Sequence, residues 1–219
     1  MGNGGKCPMP KGKGIPENSI LYGVDKIIRP IISEPNGRNF TGYSLVKDIY
    51  EKIDRNWRKR KYPKAPSSEN WRWKPNYEKE DARDDERKKE NREKKIEVRL
   101  ERKIVKVPDD WVNQVPTASG FVGPRSDKRR AIDLVHWCKD GSYEFIELKV
   151  ESNNPLYAAM EILQYGVLYI FSCRNDQIRN AAHEKRLLEA TTIHLKVLAP
   201  YDYYKGYKLD WLEDEICKG

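Results

Sequence analysis

The run Ala131-Ile-Asp-Leu-Val-His-Trp-Cys-Lys-Asp-Gly-Ser-Tyr-Glu-Phe-Ile-Glu-Leu-Lys-Val150 reads as two apolar strands joined by a turn signal. It carries Asp133, Glu147 and Lys149 inside sequence that otherwise belongs in a core. Burying an ion costs several kcal/mol unless it is paired or holds a metal, so three of them in strand-like sequence need a chemical reason. Side chains alternate along a strand, which places Glu147 and Lys149 on one face with Phe145 and Tyr143. On the preceding run Asp133 shares a face with Ala131, Val135 and Trp137, and His136 points the other way. The acids meet only if Asp133 pairs with Glu147 and Cys138 with Ser142. That register predicts a three-residue loop, Lys139-Asp140-Gly141, ending on a left-handed residue where glycine is free of the Cβ penalty. A two-residue Asp140-Gly141 loop would pair Asp133 with Leu148 and split the acids across the sheet.

Two adjacent carboxylates repel unless a hard divalent cation lies between them, and magnesium takes one or two carboxylates plus water and phosphate oxygens. A lysine beside them can hold or deprotonate the attacking water and neutralise charge developing on phosphorus. Metal-assisted phosphodiester hydrolysis is the chemistry this set implies, with magnesium or manganese as cofactor. The competing reading is a buried Lys-Asp-Glu ion-pair network without chemistry.

The surroundings give an element order. A charged helix ends near Lys106, a strand-like run follows over Trp111 to Phe121, then come the two strands above, a long apolar helix after Pro155, and a strand over Thr192 to Leu198. This helix-strand-strand-strand-helix-strand order, with Asp on the second strand and Glu-x-Lys on the third, resembles the PD-(D/E)XK nuclease superfamily over about residues 93 to 200. The resemblance implies an α/β, restriction-endonuclease-like core, with a mixed central sheet flanked by helices. It also implies metal binding by Asp133 and Glu147 and a catalytic role for Lys149. Ile132 stands where the strict motif has proline. Many members add an acid from the first helix. Here Ile96, Leu100 and Ile104 form an apolar stripe at i, i+4, i+8, bordered by Glu93 and Glu97, with Glu101 further round. Glu97 is the expected third acid, with Glu93 as its alternative and a solvated glutamate as the ordinary reading.

Ser152-Asn153-Asn154-Pro155 is a start signal for a helix, and Leu156 to Phe171 is apolar on nearly every side. A buried core helix is expected, too short and too polar at Glu161 and Gln164 for a membrane span. RecB-like members of the superfamily carry a glutamine followed four residues later by tyrosine. Gln164 is followed instead by Leu168, with tyrosines at 165 and 169, so Gln164 is a candidate positioning residue on a partial match, its alternative being a glutamine that satisfies nearby backbone groups. Within 111 to 121, Pro116 argues against a regular central strand and Ser119-Gly120 suggests a bend.

The 219 residues carry a net charge of +8, unevenly spread. Residues 1 to 130 hold 32 Lys and Arg against 20 Asp and Glu, whereas residues 131 to 219 hold 10 against 14. Cations mix with aromatics in Asn56-Trp-Arg-Lys-Arg-Lys-Tyr62 and again in Trp71-Arg-Trp-Lys-Pro-Asn-Tyr77. Such a mixture suits phosphate neutralisation and base stacking, and makes Arg58, Lys59, Arg60 and Lys61, with Arg129 and Arg130 before the Asp133 strand, candidate nucleic-acid contacts. The alternative is tryptophans packed on the core with the cations in water. Nucleic acid, DNA foremost, is the expected partner, with a homodimer or larger protein complex left open and no membrane association.

Two regions follow: a basic, partly helical extension over 1 to 77 and the nuclease-like domain over 78 to 219. Ile20 to Ile32 is apolar enough to pack, Ser44 to Trp57 reads as a helix, and Glu78 to Lys106 as a charged helix of up to about 43 Å at 1.5 Å per residue. A mean hydropathy of -0.88 still leaves enough apolar sequence for a core. No repeat, P-loop, dinucleotide-binding motif or zinc-ligand spacing is present in the linear sequence. Four scattered cysteines and no secretory h-region give a reduced, cytoplasmic protein as the expectation. The competing function is a catalytically silent nucleic-acid-binding or assembly protein on the same fold.

Overall fold

A computed structural model describes residues 15–33, 41–61, 66–76, 89–106, 110–150 and 154–218, with backbone alone for 89–95. The sheet has four strands in spatial order β1 (Trp111–Pro116), β2 (Ala131–Trp137), β3 (Tyr143–Leu148) and β4 (Ile193–Leu198). The first three are antiparallel neighbours and β4 runs parallel to β3, so the sheet is mixed. A parallel partner needs a crossover, and α4 (Pro155–Cys173) supplies it. The protein is therefore an α/β fold with helices on both faces of a mixed sheet.

The β2–β3 register is the one the acids require. Leu134 pairs with Ile146 and His136 with Glu144, which sets Asp133 opposite Glu147. The Cys138 amide donates to the Ser142 carbonyl, and the Gly141 amide donates to the Cys138 carbonyl, closing Lys139-Asp140-Gly141 as a three-residue loop. Gly141 sits at φ +86, the left-handed conformation this loop needs. Asp140 supports the turn by accepting the Ser142 amide at 2.9 Å and its hydroxyl at 2.7 Å.

Helix α4 starts where proline and cap residue place it: Asn154 is the N-cap, and its side-chain oxygen accepts the Leu156 amide at 2.9 Å. It is long and apolar enough to cross a membrane by length and composition, yet most of it is enclosed by the fold. It packs against β3 and β4. Gly166 lets it come close, since a Cβ there would lie 2.7 Å from Cδ1 of Leu195.

Helix α2 (Gly42–Arg58) opens on a capping box between Thr41 and Ser44 and buries Leu45, Ile49, Ile53 and Trp57, spaced four residues apart. With α1 (Asp25–Ser33) it packs against α4. Ile20, Ile49, Trp57 and Trp71 belong to the same hydrophobic cluster as Phe145 and Leu168, so the basic N-terminal region contributes to the core of the sheet. Tryptophans 57 and 71 therefore face the interior. Trp57 meets Phe121 and Phe171 edge-on at 5.6 and 5.9 Å, and Trp71 stacks on Phe145 at 6.2 Å.

The other sheet face is covered near the C-terminal end of α3 (Lys89–Ile104), where Val105, Leu134 and Ile146 form a smaller cluster with Ile104 and Trp111. Of the expected long charged helix, residues 78 to 88 lie outside the described ones. Strand β1 ends at Pro116, and the chain then bends through Gly120 at φ +80. Its outer edge is capped by Asn113, whose amide exchanges two hydrogen bonds with the backbone of Asn76.

Candidate functional site

Asp133 and Glu147 face each other across β2 and β3 because of the three-residue loop, and Lys149 follows Glu147 by two residues on the same face. Glu147 is 4 % exposed. One oxygen of Asp133 accepts the Leu148 amide at 2.9 Å. The Lys149 ammonium donates to Oε1 of Glu147 and, at 3.1 Å, to Oε2 of Glu161 on α4. Glu161 is thus the acid that α4 brings to the lysine. Gln164, the expected positioning residue, lies within α4 with its amide nitrogen donating back to the Met160 carbonyl at 3.0 Å. The difference is one of phase along the helix: the turn carrying Glu161 reaches Lys149, and the Gln164 side chain is spent on its own backbone.

On the first helix a second acid joins the expected Glu97. The apolar stripe did not decide which way α3 faces, since Ile96 and Leu100 are 38 % and 37 % exposed. Glu101 is buried instead, at 1 %, one turn before the buried Val105. Gln114 donates its side-chain amide to Glu101 at 2.8 Å. Glu97, one turn earlier, is half-buried, and its charge raises both Asp133 and Glu101. Glu97 therefore borders the cluster, while Glu101 is the enclosed acid of α3. The helix turns its acidic side inward because Gln114 and the sheet end supply polar partners there, which hydrophobic periodicity does not register. Gln114 itself holds φ +50 in the middle of β1, at the position opposite Asp133. A left-handed glutamine inside a strand is a strained conformation of the kind concentrated at functional sites.

Crowding raises the proton affinity of these carboxyls. Burial, followed by the charge of Asp133, pushes Glu101 up to about 8 from the usual 4.5. Burial raises Asp133 to about 6, against the Leu148 hydrogen bond and Lys149, which favour its charge. Glu147 is raised by burial and by Glu161 and Asp133, with Lys149 opposing. Burial works against the Lys149 charge, but Glu161 and Glu147 outweigh it and hold the ammonium above the ordinary lysine range. Tyr157, Tyr165 and Tyr203 feel the same acids, as burial and the nearby carboxylates raise all three phenols. These tyrosines and Glu161 escaped sequence reasoning; the i, i+4, i+8 spacing of Tyr157, Glu161 and Tyr165 on α4 is the signal that marks their shared face.

The six candidate nucleic-acid contacts divide. Arg130 reaches the acid cluster, where its charge is felt by Tyr157 and Tyr165, and is tied to Asp127 at 2.8 Å. Arg129, Lys59 and Lys61 are exposed, as is Arg58, which pairs with Asp54 on the same helix at 2.8 Å. Arg60 is occupied in packing: its guanidinium lies 3.7 Å over the Trp57 ring and donates to the Trp57 carbonyl and to Gln177. With Trp57 and Trp71 inside the core, base stacking by these rings is ruled out in this conformation.

His136 points away from Asp133, as alternation requires, and stacks on Trp111 at 4.2 Å. Among the described residues, the group of three His, Cys, Asp or Glu side chains with donor atoms close enough to share a metal is His136, Cys138 and Glu144. Comparison of the chain with protein-family models, with curated proteins and with solved structures finds no match.

Proposed function

We propose that the chain is a magnesium- or manganese-dependent nuclease of the PD-(D/E)XK type, with a restriction-endonuclease-like core, hydrolysing phosphodiester bonds of nucleic acid, DNA foremost. The observation that carries this reading is the convergence of Asp133, Glu147 and Lys149, with Glu101 and Glu161 beside them, at one end of the sheet. Carboxyls crowded until their proton affinity rises are relieved by a hard dication, and oxygen donors suit magnesium and manganese. Asp133 and Glu147 each spend one oxygen on the Leu148 amide and on Lys149. Their second oxygens take no hydrogen bond from the described residues, so the pair fits the two-carboxylate requirement. When bound there, the metal would polarise a phosphoryl oxygen and lower the pKa of a bound water.

The protein's own groups have separable roles in this reading. Lys149 acts as a fixed positive charge toward the scissile phosphate, since Glu161 and Glu147 keep it protonated; it does not serve as the general base. Glu161 positions that ammonium. Arg130 and the exposed Lys59, Lys61 and Arg129 offer phosphate-backbone contacts, with Trp57 and Trp71 taking no part in base stacking. A second reading, a catalytically silent nucleic-acid-binding or assembly protein, is favoured by one observation: Lys149 is already satisfied by two carboxylates.

The test offers the purified chain single-stranded, duplex and branched DNA and RNA with magnesium or manganese, beside Lys149→Ala and Asp133→Asn. Metal-dependent cleavage reduced by about 10²-fold or more in Lys149→Ala is expected, the usual scale for losing one electrostatic stabiliser. Cleavage on no substrate, or cleavage indifferent to both substitutions, would favour the silent binder.

A further inference from the structure

The hairpin that joins the acids also assembles a second set of donors on the opposite face of the sheet, near the turn. His136 lies at the end of β2 with Cys138 just past it, and Glu144 stands directly across from His136 on β3. Nδ1 of His136 lies 3.1 Å from Oε2 of Glu144 and 3.9 Å from Sγ of Cys138, and all three donor atoms fall within 4.8 Å of one another. Donors about 2.0 to 2.3 Å from a tetrahedral zinc ion lie about 3 to 4 Å apart, so the three are close to ligating positions already.

We propose that His136, Cys138 and Glu144 form a zinc site that clips β2 to β3. The donor set, one imidazole, one thiolate and one carboxylate, suits zinc and disfavours magnesium or calcium, which take oxygen. Two neighbours hold the donors in place: Trp111 stacks on the imidazole at 4.2 Å, and the Lys196 ammonium grips the other oxygen of Glu144. Zinc would replace the His136–Glu144 hydrogen bond and release the Cys138 thiol proton. The fourth position falls to water or to His194, which is exposed and stands beside Glu144 in the parallel β3–β4 register. The sequence alone hides the site because its ligands come from two strands, and His136, Cys138 and Glu144 lack the paired Cys or His spacing typical of structural zinc sites.

Lys196 makes the proposal sharper. Its ammonium neutralises Glu144 in the metal-free protein and repels a dication in the loaded one. Removing it should tighten zinc binding by about tenfold, the scale of one charge against a dication at about 5 Å in a water-like medium.

The purified protein, stripped with chelator, is titrated with cobalt(II) and then zinc(II). One equivalent of thiolate-bound cobalt is expected, read from a thiolate-to-cobalt charge-transfer band that zinc abolishes. The band should be lost in Cys138→Ser and His136→Ala, persist in Asp133→Asn, and Lys196→Met should bind more tightly. Iodoacetamide labelling of the unsubstituted protein, mapped by mass spectrometry, gives an answer independent of variant folding: zinc should protect Cys138. A band that survives Cys138→Ser, or labelling of Cys138 unaffected by saturating zinc, would overturn the site. Unchanged zinc affinity in Glu144→Gln would remove Glu144 from it.

Discussion

Replacing Glu101 by Gln isolates the electrostatic cost of the acid cluster. Glu101 keeps its proton up to about 8 instead of the usual 4.5, which at about 1.4 kcal/mol per pH unit corresponds to about 5 kcal/mol of preference for the neutral form. A carboxyl whose pKa is raised on folding contributes stability that is fully present below its unfolded value. That stability is lost as pH rises through the folded value. For Glu101 the loss begins near pH 4.5 and is complete above about 8. Glutamine matches the volume and keeps an oxygen to accept the Gln114 amide, so that hydrogen bond survives while titration disappears. Urea unfolding of the two proteins in chelator at half-unit pH intervals should therefore give curves that diverge. Between pH 5.5 and 7, well below the folded value, the substituted protein should gain on the natural one by about 1.4 kcal/mol per pH unit, or about 2 kcal/mol across the range. Taking the difference cancels the histidines, Asp133 and the Glu147–Lys149 pair, which both proteins share. Parallel curves over that range would mean that Glu101 is not enclosed beside Asp133, and the orientation assigned to α3 would fall with it.

Two other outcomes test separate parts of the fold. Trp57→Ala should cost about 3–5 kcal/mol, the range for removing a buried large aromatic, because Trp57 is 6 % exposed between Phe121, Phe171 and Arg60; unchanged urea stability with weakened nucleic-acid binding would return Trp57 to the surface role its sequence context suggests. Gly141→Ala should cost about 1 kcal/mol, from backbone conformation alone, since a Cβ at φ +86 meets nothing within 4 Å; no loss in chemical denaturation would mean that the loop does not close as a three-residue turn.

The β2–β3 register was legible because two independent constraints agree on it: alternation that must bring Asp133 and Glu147 to one face, and a glycine where the loop needs φ above zero. The start of α4 was legible for a similar reason, with Asn154 capping and Pro155 following it. What misled was hydrophobic content read without knowledge of the competing surface. Ile96, Leu100 and Ile104 define an apolar stripe, yet Glu101 is the residue enclosed, because the end of the sheet offers it Gln114. Trp57 and Trp71 sit among cations in the sequence and among Phe121, Phe145 and Phe171 in space, so α2 uses its aromatic face for packing and its cations for solvent. Gln164 and Glu161 share a helix face in outline, but only packing shows which of the two meets Lys149.

A single register governs both polar sets on this sheet. Asp133 opposite Glu147 and His136 opposite Glu144 are two pairings in one ladder, on opposite faces because the members of each strand are three residues apart. Shortening the loop by one residue would pair Asp133 with Leu148 and His136 with Phe145, and both sets would dissolve together. A zinc clip near the turn would therefore do more than add local stability. By linking His136 and Cys138 to Glu144 it would penalise the slipped ladder, the one rearrangement that most directly separates the acids. On this proposal the hairpin sequence has a reason to carry soft donors by its turn and hard donors at its far end: the first set would fix the pairing on which the second depends.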